Sequence, residues 1–220
     1  MSLNEKSYSH ISKYYDNSCS AKRYYSCAES SNWRDRISHK QLELVLSELN
    51  HKIMNEHPVA LDIGCSSGRY TKALNQKGIR TIGIDTAINP LIFASSRVDG
   101  DFIRASAANM PFKKKFFDMI ICVELFHHFT DRVLEIVLEE IANIIRPGGT
   151  LIFDLKNKLN PLISYKYIKD GNDEYPLKCR TDYKIKSYMD TYGFKIVERK
   201  SVIFPVVMFA PYILYFCTKD

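Results

Sequence analysis

The chain has 220 residues, 45% apolar and 25% charged, with a formal charge of +6. This length fits one domain with additions better than two full domains, and the composition is that of an ordinary soluble globular chain, not a disordered or fibrous one. Lysines and arginines are scattered, with short runs only at Lys113-Lys114-Lys115 and around Lys156 and Lys158, so the charge reads as solvated surface rather than as a nucleic-acid-binding stripe.

Residues 1–35 are rich in Tyr, Ser and charge, with the pairs Tyr14-Tyr15 and Tyr24-Tyr25. The N-terminus is polar and has no apolar signal segment. A helix is expected over Arg36–Leu49, with Leu42, Val45, Leu46 and Leu49 on one stripe. Residues 1–50 therefore read as a helical cap or lid on a main domain at 51–220.

From position 59 strands and helices alternate. Val59–Ile63 is a short apolar run ending in glycine, as in a buried strand. A helix is expected over Ser67–Lys77, with Tyr70, Ala73 and Leu74 inward and Gly78 as its stop. Arg80–Ile84 is a second strand ending at Asp85. A short helix covers Pro90–Ser96, and Asp101–Ala105 and Phe117–Val123 are the third and fourth strands.

The clearest helix follows. Thr130 caps it, Asp131 complements its positive end, and Leu134, Val137, Leu138, Ile141 and Ile145 share a face as far as Pro147-Gly148-Gly149. Thr150–Leu155 is a fifth strand. Residues 156–180 read as an irregular, substrate-side insertion. Thr181–Tyr192 is a helix closed by Gly193.

Phe194–Val207 and Pro211–Thr218 complete the set as two strands. The apolar stretch Val202–Cys217 is too short for a membrane helix, which needs about 20 residues, and Pro205 and Pro211 interrupt it. A buried strand pair is the better reading. Together these elements predict an α/β, doubly wound, mostly parallel seven-stranded sheet with helices on both faces and an antiparallel last strand.

Six cysteines, at 19, 27, 65, 122, 179 and 217, form no CxxC pair and no zinc-ligand spacing with histidine. No metal site is expected. Reduced thiols at Cys65 and Cys122 fit a cytoplasmic chain.

Chemistry concentrates at strand ends. In Leu61-Asp62-Ile63-Gly64-Cys65-Ser66-Ser67-Gly68 a strand runs into a glycine turn and then a helix. Gly64 permits a tight turn and close approach of a ligand, and Gly68 lets the helix start near the strand. A nicotinamide fingerprint would need further glycines where Ser66 and Arg69 stand, which disfavours an NAD(P) oxidoreductase. The stretch Gly83-Ile84-Asp85-Thr86 puts a carboxylate at a strand end, where it can accept hydrogen bonds from a ribose diol. Taken singly, each also reads as an ordinary turn or surface acid.

With NMPF at 109–112, FDMIICVELFHHF at 117–129 and IIRPGGTLIF at 144–153, these pieces resemble the class I S-adenosylmethionine (SAM)-dependent methyltransferases. The likeness is to the small-molecule branch that includes quinone-biosynthesis-type enzymes, and it covers about Val59 to Leu155. The resemblance implies SAM as cofactor and S-adenosylhomocysteine as product. It assigns Asp62, Gly64, Cys65, Ser67 and Gly68 to the methionine part, and Asp85 with Thr86 to the ribose side. Ser106 and Ala107 fall where adenine is contacted, and Cys122 and Glu124 near the SAM amino group. Ser106 stands where the family often has Asp, which weakens the case for recognition of the adenine edge.

The acceptor is expected to be a small molecule attacking in line with the S–CH₃ bond. A base is needed only if that acceptor arrives protonated. His127 and Glu124 are the expected catalytic residues, and consecutive residues such as His127 and His128 should not both face the methyl group. Tyr14, Tyr15, Tyr24 and Tyr25 would serve as a lid, and Tyr165, Tyr167 and Ile168 as acceptor-pocket lining. The alternatives are a tRNA or RNA methyltransferase, which the positive charge permits but does not favour, and a non-catalytic partner protein of the same fold. The sequence leaves the oligomeric state open.

Overall fold

The computed structural model describes residues 16, 33–49, 56–170, 177–204 and 206–220. The tyrosine pairs of the N-terminal segment lie outside them. The first helix, α1 (Trp33–Leu49), precedes β1 (Val59–Ile63), α2 (Arg69–Asn75), β2 (Arg80–Asp85), α3 (Ile88–Ser95) and β3 (Asp101–Arg104). Then come β4 (Phe117–Cys122), α4 (Asp131–Ile144), β5 (Ile145–Lys156), α5 (Pro161–Asp170), α6 (Asp182–Thr191), β6 (Phe194–Ser201) and β7 (Tyr212–Lys219).

The seven strands form one sheet in the order β3-β2-β1-β4-β5-β7-β6. β1 pairs in parallel with β2 and β4, and β7 runs antiparallel to both β5 and β6. The expected architecture is thus the observed one. The order reverses at β1, between β2 and β4, and such a switch point opens a crevice at the carboxyl ends of the strands.

Strand periodicity divides the core between the two faces. On one face Leu61, Ile63, Phe153, Leu155, Tyr215 and Cys217 meet α4 and α6. On the other, Ala60, Ile121, Ile152, Leu214 and Phe216 meet α1, α2 and α5. The inner stripe of α4 includes Leu134, Leu138 and Ile141, all fully buried. Each such side chain contributes about 1.5–3 kcal/mol of transfer free energy. Thr130 caps this helix as expected, its side chain accepting from the Val133 N–H at 3.4 Å.

Three expectations are corrected. α4 ends at Ile144, not at the Pro-Gly-Gly run. Ile145 is already extended (φ −79°, ψ 145°) and starts β5, and Pro147 keeps Arg146 after it out of the helical region. The stretch 156–180 is not irregular throughout: Pro161 opens α5, where its missing N–H costs nothing, and Asn160 Oδ1 accepts from the Ile163 N–H at 3.0 Å. Finally, β6 stops at Ser201, and the apolar residues 203, 204 and 206–209 form a mostly exposed connection with a 3-10 turn at Val207–Phe209 instead of strand.

Candidate functional site

The crevice begins at the turn after β1. The Gly64 and Cys65 N–H groups both donate to the Ile84 carbonyl, at 2.8 and 3.0 Å, which folds the turn over β2. Gly64 has φ +73°, and a Cβ there would meet Leu125 Cδ1 at 3.1 Å. Glycine is thus required by both conformation and space. Ser66 also has positive φ, at 48°, a conformation that costs a non-glycine residue free energy and must be held by its surroundings.

Two carboxylates hold that turn. Asp62, buried beneath it, accepts from the Thr71 N–H at 3.1 Å and from Thr71 Oγ1 at 2.8 Å, tying α2 to β1. Burial pushes its carboxyl up to about 6, against the lowering effect of those hydrogen bonds. Asp85 Oδ2 accepts from Ser66 N–H and Oδ1 from Ala87 N–H, each at 2.9 Å. Burial raises this carboxyl too, and the hydrogen bonds oppose it.

Of the residues expected at a cofactor, Gly64, Cys65, Ser67, Asp85, Thr86 and Ala107 line the crevice. Asp62, Gly68, Ser106 and Cys122 lie off its wall. Gly68 leads into α2 with φ +78°. Ser106 Oγ accepts from the Ala108 N–H at 3.2 Å, and Cys122 is sealed in the core. Burial raises both the Cys65 and Cys122 thiols, so they stay protonated and inert.

The chain after β4 forms the opposite bank. Glu124 and His128 line the crevice, with Leu125 and Phe129, whereas His127 does not. The short 3-10 turn at Phe126–His128 rotates successive side chains apart. The two imidazoles are tilted at 41° to each other with centroids 4.0 Å apart, and His127 meets the Tyr167 ring edge-on at 5.7 Å. Burial, the largest cause, pushes His128 down to about 4 and His127 well below its usual range. Both are therefore neutral at pH 7.

Arg180 fixes this turn. Its guanidinium donates to the Phe126 carbonyl at 2.9 Å and the Phe129 carbonyl at 2.5 Å, and pairs with Asp131 at 3.0 Å. Beside it lies a buried charge network. Lys156 Nζ donates to Asp154 at 2.6 Å and to Glu124, and sits 4.3 Å over the Tyr212 ring. Gln41 of α1 donates to Asp154 at 3.3 Å, and the Glu124 N–H to the same carboxylate at 2.6 Å. Burial would raise the Glu124 carboxyl, but the Lys156 ammonium outweighs it and holds Glu124 below the usual carboxylate range. Glu124 adopts φ +63°, a conformation this network imposes.

Other residues line the crevice that were not among the expected site residues: Ser38 of α1, Arg69, Tyr70 and Leu125. Arg69 and Tyr70 carry a findable signal, since they open the helix that leaves the glycine turn. Ser38 carries none, as only the packing of α1 brings it in. Tyr165 and Ile168 are exposed on the outer face of α5, and only Tyr167 turns inward, against His127.

The crevice fits an adenosyl amino acid. Asp85 offers a carboxylate at the end of β2, and Ala105 and Ala107 with Ile84 and Leu125 offer small apolar contacts. Ser66 Oγ and Tyr70 Oη are buried with no hydrogen-bond partner among the described residues. Buried polar atoms are rarely left so unless a ligand completes them.

Comparison with known proteins agrees. Residues 61–153 match the family model described as a methyltransferase domain. A ubiquinone biosynthesis O-methyltransferase of Saccharophagus degradans is 32% identical over 124 residues, covering 54% of this chain and 50% of that protein. The probable tRNA methyltransferase 9B of Homo sapiens is 33% identical over 92 residues, or 41% of this chain and 20% of that protein. The chain thus spans from about one fifth to half the length of these two relatives. In structure, magnesium protoporphyrin IX methyltransferase from Synechocystis with bound S-adenosylhomocysteine superposes with a TM-score of 0.76 at 16% identity, covering 96% of this chain and 98% of that one. Sequence motifs, sheet order and crevice converge, and over residues 61–153 the chain is similar to the methyltransferase domain of SAM-dependent methyltransferases.

Proposed function

We propose that this chain transfers the methyl group of SAM to a small-molecule acceptor bound between the Leu125–Phe129 turn and the cofactor turn. When bound, SAM supplies an electrophilic methyl on a sulfonium. The protein binds, orients and excludes water. Asp85 accepts from the ribose hydroxyls, with Thr86 beside it. Gly64, Cys65 and Ser67 lie along the amino-acid portion, and Ser66 and Tyr70 give it their unpartnered hydroxyls.

Glu124, held ionised by Lys156, faces the cofactor's ammonium end. Holding acceptor and methyl donor in line is worth about 7–11 kcal/mol in favourable cases, so orientation alone carries much of the rate. His128, neutral at pH 7, accepts a hydrogen bond from the acceptor and aims its nucleophilic atom. A base with a pKa of about 4 removes a proton poorly at neutral pH. An acceptor that is a ready nucleophile, or ionises easily, therefore suits this site.

One observation carries the small-molecule reading: the acceptor bank of Glu124, Leu125, His128 and Phe129 presents no cation, its one charge being the Glu124 carboxylate. The nearby cations Lys156 and Arg180 are already paired to Asp154, Glu124 and Asp131. A polyanion needs phosphate-facing lysines and arginines. Incubation of the full chain with methyl-labelled SAM and, in parallel, a small-metabolite extract or bulk tRNA tests this. Label in the metabolite fraction supports the reading. Label in tRNA alone overturns it in favour of the RNA substrate suggested by the tRNA methyltransferase relatives.

A further inference from the structure

The outer face of α5 and the loop between β6 and β7 carry an apolar surface that the crevice does not use. On α5, Leu162 is 78%, Tyr165 70% and Ile168 81% exposed, at a spacing of three residues that puts them on one stripe. The inner stripe, Ile163 and Tyr167, is buried. The helix is thus apolar on both sides, and one side has nothing to cover it among the described residues.

The loop adds Ile203, Phe204, Val206, Met208 and Phe209, all exposed. The two segments are tied together. Asn157 Nδ2 donates to the Met208 and Ala210 carbonyls at 2.8 and 3.0 Å, and Asn160 Nδ2 to the Phe209 carbonyl at 2.9 Å. Leu159, half exposed, lies on the turn between them. Scattered single apolar residues are normal on a protein surface, but a cluster of this kind is not.

Charge selects the occupant. Residues 202–211 contain no charged side chain. Over residues 157–170 the charged residues are Lys158, Lys166 and Lys169 against Asp170. Apolar side chains with lysines on long stems at their rim, in a chain of net charge +6, match the acyl boundary and headgroups of an anionic bilayer. No helix among the described residues is long and apolar enough to cross a membrane, so contact would be peripheral. We propose that α5 and the 203–209 loop dock the protein on an anionic lipid surface. Because Tyr167 backs α5 onto His127, next to the acceptor bank, docking places that bank close to the bilayer.

Sedimentation of the full chain with phosphatidylcholine vesicles, with and without phosphatidylglycerol, tests this without any activity readout. The protein should pellet with the mixed vesicles, and less so with phosphatidylcholine alone or at high salt. Leu162→Asp and Phe209→Asp, in separate exposed segments, should each lower the partition coefficient about tenfold, the scale set by one large apolar side chain. Val197→Asp, exposed on β6, should leave it unchanged. Absence of pelleting, or pelleting of both variants like the parent, overturns the proposal. Self-association abolished by the same two substitutions, without vesicle binding, would overturn it in favour of a second copy of the chain.

Discussion

The two banks of the crevice are assembled differently. On the bank of β1 and β2 nearly every lining residue comes from two short stretches, 63–70 and 84–86, each a strand end running straight into its turn. On the opposite bank the wall at 124–129 is shaped by distant residues. Lys156 and Asp154 pin Glu124, Arg180 clamps the histidine turn, and α1 contributes Ser38 and Gln41. The first bank encodes a fixed cradle by local conformation. The second is shaped by long-range packing, so its form does not follow from its own stretch of sequence.

Substitutions should separate the two. Gly64→Val puts a β-branched side chain at φ +73° and 3.1 Å from Leu125. It should abolish SAM binding altogether by calorimetry, because backbone and space both fail. On the other bank, Lys156→Met leaves Asp154 and Glu124 facing each other without their cation. Breaking a buried pair from one side costs about 3–5 kcal/mol, so the urea midpoint should fall sharply.

The banks should also respond to pH with opposite sign. Asp62 has its carboxyl raised to about 6 when folded, above the unfolded value, so its stabilising contribution is complete at low pH and lost as pH rises through 6. His128 is lowered to about 4, below its unfolded value of 6.5, so its contribution is complete above 6.5 and lost as pH falls toward 4. Each shift corresponds to about 3 kcal/mol. His128→Gln should therefore leave stability falling as pH rises between 4 and 6, whereas Asp62→Asn should leave it rising more steeply. Denaturation midpoints across that range read both slopes, and identical slopes in the two variants would remove the distinction.

The same contrast explains what was legible in the sequence. The β1 turn, Asp85, the Thr130 cap and the alternation that builds the sheet are local patterns, and each residue's role follows from its neighbours in the chain. The choice between His127 and His128 is not local, because it depends on how a short 3-10 turn is held by Arg180, some fifty residues away. The positive φ of Glu124 and the Lys156 network likewise follow from contacts between strand ends, with no signature in spacing. In 202–217, apolar composition predicts burial, yet besides Val202 and Ala210 only β7 is buried among the described residues, since composition alone does not say which run finds a partner strand.

The central claim is that the carboxylate ending β2 and the glycine turn after β1 hold SAM. Calorimetric titration of the full chain and of Asp85→Ala with SAM and S-adenosylhomocysteine tests it most directly. The parent should bind both, and the variant should lose about 10- to 100-fold in affinity, the cost of hydrogen bonds to a charged acceptor. Equal affinity in the two proteins, or no binding of either nucleoside by the parent, would contradict it.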